Sequence, residues 1–138
     1  MKRANEYRAY FSMSGDFNPD EITAGIGLTP TRTLMKGSVH EKTRHIQKFS
    51  IWSLNSRLDQ FASLEDQIAD VLEQLRLRAD TVRALVKIWG GCMQLVGKFY
   101  VDYPGLHFES ALVSGIAEFG LSVDFDFYHY WAEMPETN

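Results

Sequence analysis

"YRAYFSMSGDFNPDEITAGIGLTP", Tyr7 to Pro30, sets the frame for the rest of the chain. Its first eight residues alternate Tyr7, Ala9, Phe11 and Met13 with Arg8, Tyr10, Ser12 and Ser14. That is the period of two of a strand with one apolar face and one mixed face. Gly15 and Asp16 turn the chain. Asn18 is placed to cap a helix, Pro19 suits its first position, and Glu21 stands three residues after the cap, as in a capping box. Ile22 and Ile26 share a face, Gly27 falls where a helix end takes a left-handed residue, and Pro30 blocks continuation. The acids Asp16, Asp20 and Glu21 lack the alternating ligands, central glycine and closing glutamate of a calcium loop. The stretch therefore reads as strand, turn, short helix, stop.

Working outward, residues 29–48 read as an irregular basic loop. It carries Arg32, Lys36, Lys42, Arg44 and Lys48 against the single acid Glu41, with His40 and His45. Loops of this length are often functional or mobile. Phe49 to Leu54 resumes a strand, with Trp52 on the side opposite Phe49, Ile51 and Ser53. Ser63 to Arg78 is a helix capped by Ser63, with Leu64, Ile68, Val71, Leu72 and Leu75 in one buried stripe. Asp80 caps a second helix through Val82, Leu85, Val86 and Trp89, ended by Gly90-Gly91. Cys92 to Asp102 is a strand, apolar at Met93, Leu95, Phe99 and Val101. Leu106 to Phe119 is a helix closed by Gly120, and Leu121 to Tyr130 ("LSVDFDFYHY") alternates as a strand. Residues 133–138 read as a frayed tail.

The resulting order is strand, helix, strand, two helices, strand, helix, strand. It predicts a single α+β domain over residues 1–138. The expected architecture is a two-layer sandwich of ferredoxin-like type, a four-stranded, mainly antiparallel sheet with helices on one face. Such a sheet leaves its other face open.

Composition narrows the function classes. A net charge of −4 argues against a nucleic-acid binder, which is normally basic. No apolar run approaches the roughly 20 residues that cross a bilayer, and the N-terminus has no signal-peptide core. The single cysteine, Cys92, excludes an internal disulfide and a cysteine-built zinc cage. A cytoplasmic protein is expected, with neither membrane nor nucleic acid among its partners and no cofactor.

Phe11 to Pro30 ("FSMSGDFNPDEITAGIGLTP"), Lys36-Gly37, "SIWSL" at Ser50 to Leu54 and "EFGLSVDFDFY" at Glu118 to Tyr128 occur in that order. On these segments the chain resembles the bacterial family catalogued as domain of unknown function 4279, over most of its length. The resemblance implies the same small α+β domain and brings no activity, cofactor or catalytic residue with it.

Four constellations bear on chemistry. With Tyr7, Phe11, Ile51, Leu95, Phe99, Val123, Phe125 and Phe127 assigned to the helix side, the alternates Tyr10, Ser12, Trp52, Lys98, Tyr100, Asp124, Asp126 and Tyr128 face away. Aromatics on an open face mark association or ligand contact. A homodimer, coverage by the chain's own loop, and a foreign protein or ligand all remain open. Asp124 and Asp126, at i and i+2, point the same way roughly 6–7 Å apart. They are suited to salt bridges with Lys98 or Arg8, or to sharing a proton or a cation, although no third metal ligand is placed by sequence. Arg32, Lys42 and Arg44 are a possible anion site within a loop otherwise read as solvated. Nucleophilic catalysis lacks its parts: Cys92 is expected to pack as a small hydrophobe, and Gly90-Gly91 is not followed by the G-K-[ST] of a phosphate loop. The expectation is a small binding or interaction domain of immunity-like kind, using the open face. The alternative is a small-molecule sensor or enzyme with Asp124 and Asp126 in a pocket.

Overall fold

The opening strand lies at the centre of the sheet, with two strands on either side of it, and its apolar face is buried under the helices. In the computed structural model, which describes residues 3–130, β1 (Glu6–Gly15) is followed by α1 (Pro19–Ile26), β2 (Arg32–Leu34) and β3 (Ser50–Asn55). Then come α2 (Leu64–Arg76), α3 (Ala79–Trp89), β4 (Cys92–Phe99), α4 (Ser110–Glu118) and β5 (Ser122–His129). The five strands form one sheet in the order β2-β3-β1-β4-β5. Every pairing is antiparallel except β4–β5, which is parallel and joined by α4. The tail at 133–138 lies outside the described residues.

The helix start and stop of the opening stretch form as expected, except that among the described residues no bond from the Glu21 side chain to the Asn18 N–H completes a capping box. The Asn18 side chain accepts the Asp20 N–H at 3.0 Å, and Gly27, with φ 72°, donates its N–H to Thr23 O at 2.9 Å. Ser63 caps α2 by accepting the Asp66 N–H at 3.1 Å. The valine-bearing segment Ala79–Trp89 is helical, with Val82 and Val86 buried on one side. Asp80 does not cap it; it lies inside the first turn and pairs with Arg83 at 2.7 Å. The last helix is shorter than the sequence suggests, starting at Ser110 rather than near Leu106.

Two features correct the expected architecture. The sheet has five strands, because Arg32–Leu34 pairs with β3 at Arg32↔Ser53, Thr33↔Trp52 and Leu34↔Ile51. Three residues at a sheet edge, two of them exposed and Leu34 half-buried, are too few to show a hydrophobic periodicity. The topology is also not ferredoxin-like. The parallel strands of that fold enclose another strand between them, whereas β4 and β5 are direct neighbours. The coarser expectation, an α+β domain with one mainly antiparallel sheet and helices packed on it, matches.

The core lies between one sheet face and the helices. Phe11, Met13, Trp52, Leu54, Met93 and Leu95 come from the sheet; Ile22, Ile26, Ile68, Leu72, Leu75 and Val82 come from the helices. Trp52 belongs to this core, contrary to its expected place on the open face: it is 0% exposed and pairs directly with Met13. Its indole N–H donates to Thr23 Oγ1 of α1 at 3.0 Å, and its ring meets Phe11 edge-on at 6.0 Å. Ile51, assigned inward from sequence, faces the other way with Ser14 and Leu34. "FSIWSL" has apolar residues in both alternating sets, and only the register with β1 decides between them.

Beyond the end of β3, a side chain takes over the work of a strand. Gln67, 1% exposed on α2, accepts the Ala9 N–H at 2.9 Å and donates to Tyr7 O at 2.9 Å, Asp59 O at 3.2 Å and Ala62 O at 3.1 Å. With Ser56 N–H bonded to Ala9 O and Tyr7 N–H to Gln60 O, the first half of β1 is held in place after its neighbour strand has ended.

Candidate functional site

The face of the sheet away from the helices is built from alternate residues of β1, β4 and β5. The registers place Glu6, Lys98 and Tyr128 in one row, Arg8, Val96 and Asp126 in the next, and Tyr10, Gln94 and Asp124 in a third. Lys98, Asp124, Asp126 and Tyr128 are exposed, and Tyr10 is half-buried. Trp52 is absent from this surface, for the reason given above.

The two aspartates do not form the anticipated salt bridges. Asp124 accepts from Gln94 Nε2 across the strands at 2.9 Å, and Asp126 accepts from the Tyr128 hydroxyl along its own strand at 2.9 Å. Among the described residues neither carboxylate is ion-paired, and no group of three or more His, Cys, Asp or Glu is placed to hold a metal ion. The hydrogen bond from Tyr128, together with the negative charge of Asp126, raises the phenol pKa above its ordinary value.

Tyr100 lies just past the end of β4 and starts a tyrosine stack. Its ring is 5.0 Å from that of Tyr130 at 15°, and Tyr130 is 6.4 Å from Tyr128 at 22°. The Arg3 guanidinium covers the outer side of Tyr100 at 4.5 Å, a cation–π contact, and also pairs with Glu6 at 3.0 Å. Desolvation raises the Tyr100 phenol pKa, the Arg3 charge opposes that rise, and Glu6 adds to it. Sequence reasoning missed Tyr130 and Arg3. Extending the alternation Asp124, Asp126, Tyr128 by one step would have found Tyr130; Arg3 has no such signal. Beside this stack a hollow of about 250 Å³ is lined by Glu6, Tyr7, Arg8, Gln60, Val96 and Lys98, bordering Asp126 and Tyr128 across β4.

The basic segment is exposed, and it is folded back on itself. After β2 the chain folds back on itself through a bridge between Val39 and Ile46, and His40 N–H donates to His45 O at 2.9 Å. His40 Nδ1 accepts the N–H groups of Lys42 and Thr43 at 3.2 Å each, so that nitrogen builds the turn. Lys36 pairs with Asp16 at 3.2 Å, tying the segment to the β1–α1 turn. A cleft of about 650 Å³ is lined by residues that include Arg32, Leu34, His40, Lys42, His45 and Gln47. Arg32 and Lys42 are thus brought together, whereas Arg44, at φ 59°, does not line the cleft. It sits on the β2 edge, and Asp124 and Asp126 lie four strands away on β5, roughly 19 Å at about 4.8 Å per strand. The acids and the basic cleft are separate surfaces.

Residues 5–130 match the family model described as Domain of unknown function (DUF4279). The chain belongs to that family. No curated protein and no solved structure matches it.

Within this DUF4279 fold, Cys92 stands half-buried on the outer face opposite Ser12, and burial raises its thiol pKa. A thiol held protonated is a poor nucleophile. No helix among the described residues is long and apolar enough to cross a membrane. The outer face offers flat aromatic rings, hydroxyls and two exposed carboxylates, a set suited to contact with another surface.

Proposed function

We propose that this DUF4279 domain is a bacterial, cytoplasmic interaction module that binds a protein partner through its outer sheet face. The observation that carries the reading is the stack Tyr100–Tyr130–Tyr128 beside Asp126 on the side of the sheet opposite the helices. Tyrosine supplies large contact area at low entropic cost and a hydroxyl for the rim, which is why it is enriched at interfaces. Asp124 and Asp126 suit a partner presenting arginine or lysine, and Tyr10, Lys98 and Tyr100 extend the contact along the same face. Immunity-like inhibition by covering another protein's working surface fits a small acidic domain, by analogy alone.

The test is affinity capture from the native organism using the wild-type chain and a Tyr128→Ala/Asp126→Asn bait, with Lys42→Glu as a control on the far edge. A partner retained by the wild type and Lys42→Glu and lost by the double variant is the expected result. Equal retention by all three baits refutes the assignment of this face.

A further inference from the structure

The two edges of the sheet are treated very differently. The β2 edge is three residues long and runs directly into the folded-back basic segment. The β5 edge is eight residues long, and among the described residues no strand other than β4 pairs with it. Ser122 N–H donates to Gly91 O at 3.0 Å and Tyr130 N–H to Phe99 O at 2.8 Å, so the even-numbered residues of β5 bond to β4. The odd-numbered residues turn their backbone groups outward. Among the described residues no hydrogen bond reaches the edge-facing N–H or C=O of Val123, Phe125 or Phe127. Phe125 is 57% exposed and Phe127 is 38% exposed. A long edge with apolar side chains and no lysine, proline or bulge to block it is a template for another strand.

We propose that β5 pairs antiparallel with β5 of a second copy of this chain, centred on Phe127, to give a continuous ten-stranded sheet. The charge pattern selects both occupant and register. A two-fold axis through Phe125 sets Asp124 opposite Asp126 of the partner subunit, and an axis through Asp126 sets that residue against itself; like charges directly opposite destabilise a strand pair. An axis through Phe127 instead places Asp126 opposite Tyr128 of the partner subunit and Asp124 opposite Tyr130 of the partner subunit. Every acid then meets a phenol rather than an acid: Tyr128 has one hydroxyl proton, which it can give to Asp126 of the partner subunit in place of its own Asp126, and Asp124, which accepts from Gln94, keeps lone pairs free for Tyr130 of the partner subunit. The same axis brings the two Phe127 rings together. An axis through Tyr128 also separates the acids but loses that phenylalanine pair. The strand is thus self-complementary in one register, as an isologous interface requires. Pairing joins the two tyrosine faces into one surface, and it stands or falls separately from the partner-binding reading.

Sedimentation velocity over a concentration series tests the pairing. The wild-type chain is expected to pass from monomer to dimer, and Phe125→Lys, at an exposed position, to weaken the dimer about tenfold or more while far-UV circular dichroism stays unchanged. A wild-type chain that stays monomeric throughout overturns the proposal, as does a dimer indifferent to Phe125→Lys. The register is read in a Cys92→Ser background with a short bis-maleimide. Phe127→Cys, at the axis with Cα atoms about 5.5 Å apart, is expected to cross-link. Phe125→Cys, whose copies lie roughly 14 Å apart, is expected not to. A link at 125, or none at 127, overturns the register.

Discussion

Replacing Gln67 by methionine, which keeps the length and removes both polar ends, isolates what one buried amide contributes. Gln67 is 1% exposed and satisfies the Ala9 N–H and the Tyr7 carbonyl of β1 where β3 has already ended. Both backbone groups are left without their partner in the variant. An unsatisfied buried group costs about 1–3 kcal/mol, so the pair costs about 2–6 kcal/mol. The bonds to Asp59 O and Ala62 O add less, because both lie in the connection ahead of α2, with Asp59 exposed and Ala62 only half-buried, where water can replace the amide. Against a total stability of about 5–15 kcal/mol, such a loss is large. Urea denaturation followed by tryptophan fluorescence reads it as a lower midpoint at unchanged slope. Gln67→Glu sharpens the test. Its carboxylate still accepts from Ala9 N–H but faces three carbonyl oxygens, and protonation restores a donor toward Tyr7 O. Its deficit therefore shrinks as pH falls. A Gln67→Met variant within about 0.5 kcal/mol of the wild type would refute the view that this side chain substitutes for a strand.

Trp52→Ala should cost about 3–5 kcal/mol through the lost ring and its bond to Thr23, with partner capture by the folded fraction unchanged; thermal denaturation beside the capture assay checks both. Burial works against the charge on Asp70, yet the bonds from the Arg57 side chain and backbone hold its carboxyl below the ordinary 3.8. A depressed folded pKa gives stability that is present above the unfolded value and lost as pH falls through the folded one. Asp70→Asn should accordingly be about 1–3 kcal/mol less stable near neutrality and converge on the wild type in acid, measured by urea midpoints at both pH values. Asp126→Asn removes the charge and weakens the acceptor that keep Tyr128 protonated, so the Tyr128 phenol should ionise at lower pH than in the wild type, followed by NMR of its ring protons. Gly91→Ala should cost about 1–3 kcal/mol, since a Cβ there meets Leu121 at 2.8 Å and Val86 at 2.9 Å.

What the sequence determined by itself was local. The cap at Asn18, the left-handed stop at Gly27 and the helical stripe from Leu64 to Leu75 each depend on residues within a turn or two of one another, and each formed as read; β5 formed as a strand, but Phe125 and Phe127, assigned to the helix side, are exposed. The outward positions of Tyr10, Lys98, Asp124, Asp126 and Tyr128 were legible for the same reason, because period two carries them once one neighbour is assigned. Tertiary structure decided what period two leaves undetermined. Trp52 and Ile51 sit in adjacent positions with apolar residues on both faces, and only pairing with Met13 and Ser14 chose which was buried. Arg32–Leu34 became a strand because β3 offered an edge, not through any pattern of its own. The adjacency of β4 and β5, the stack that joins Tyr100 to Tyr130, and the reach of Gln67 to β1 are contacts between residues tens of positions apart. Such contacts depend on how strands order themselves around a shared core, and chain-local periodicity carries no record of that order.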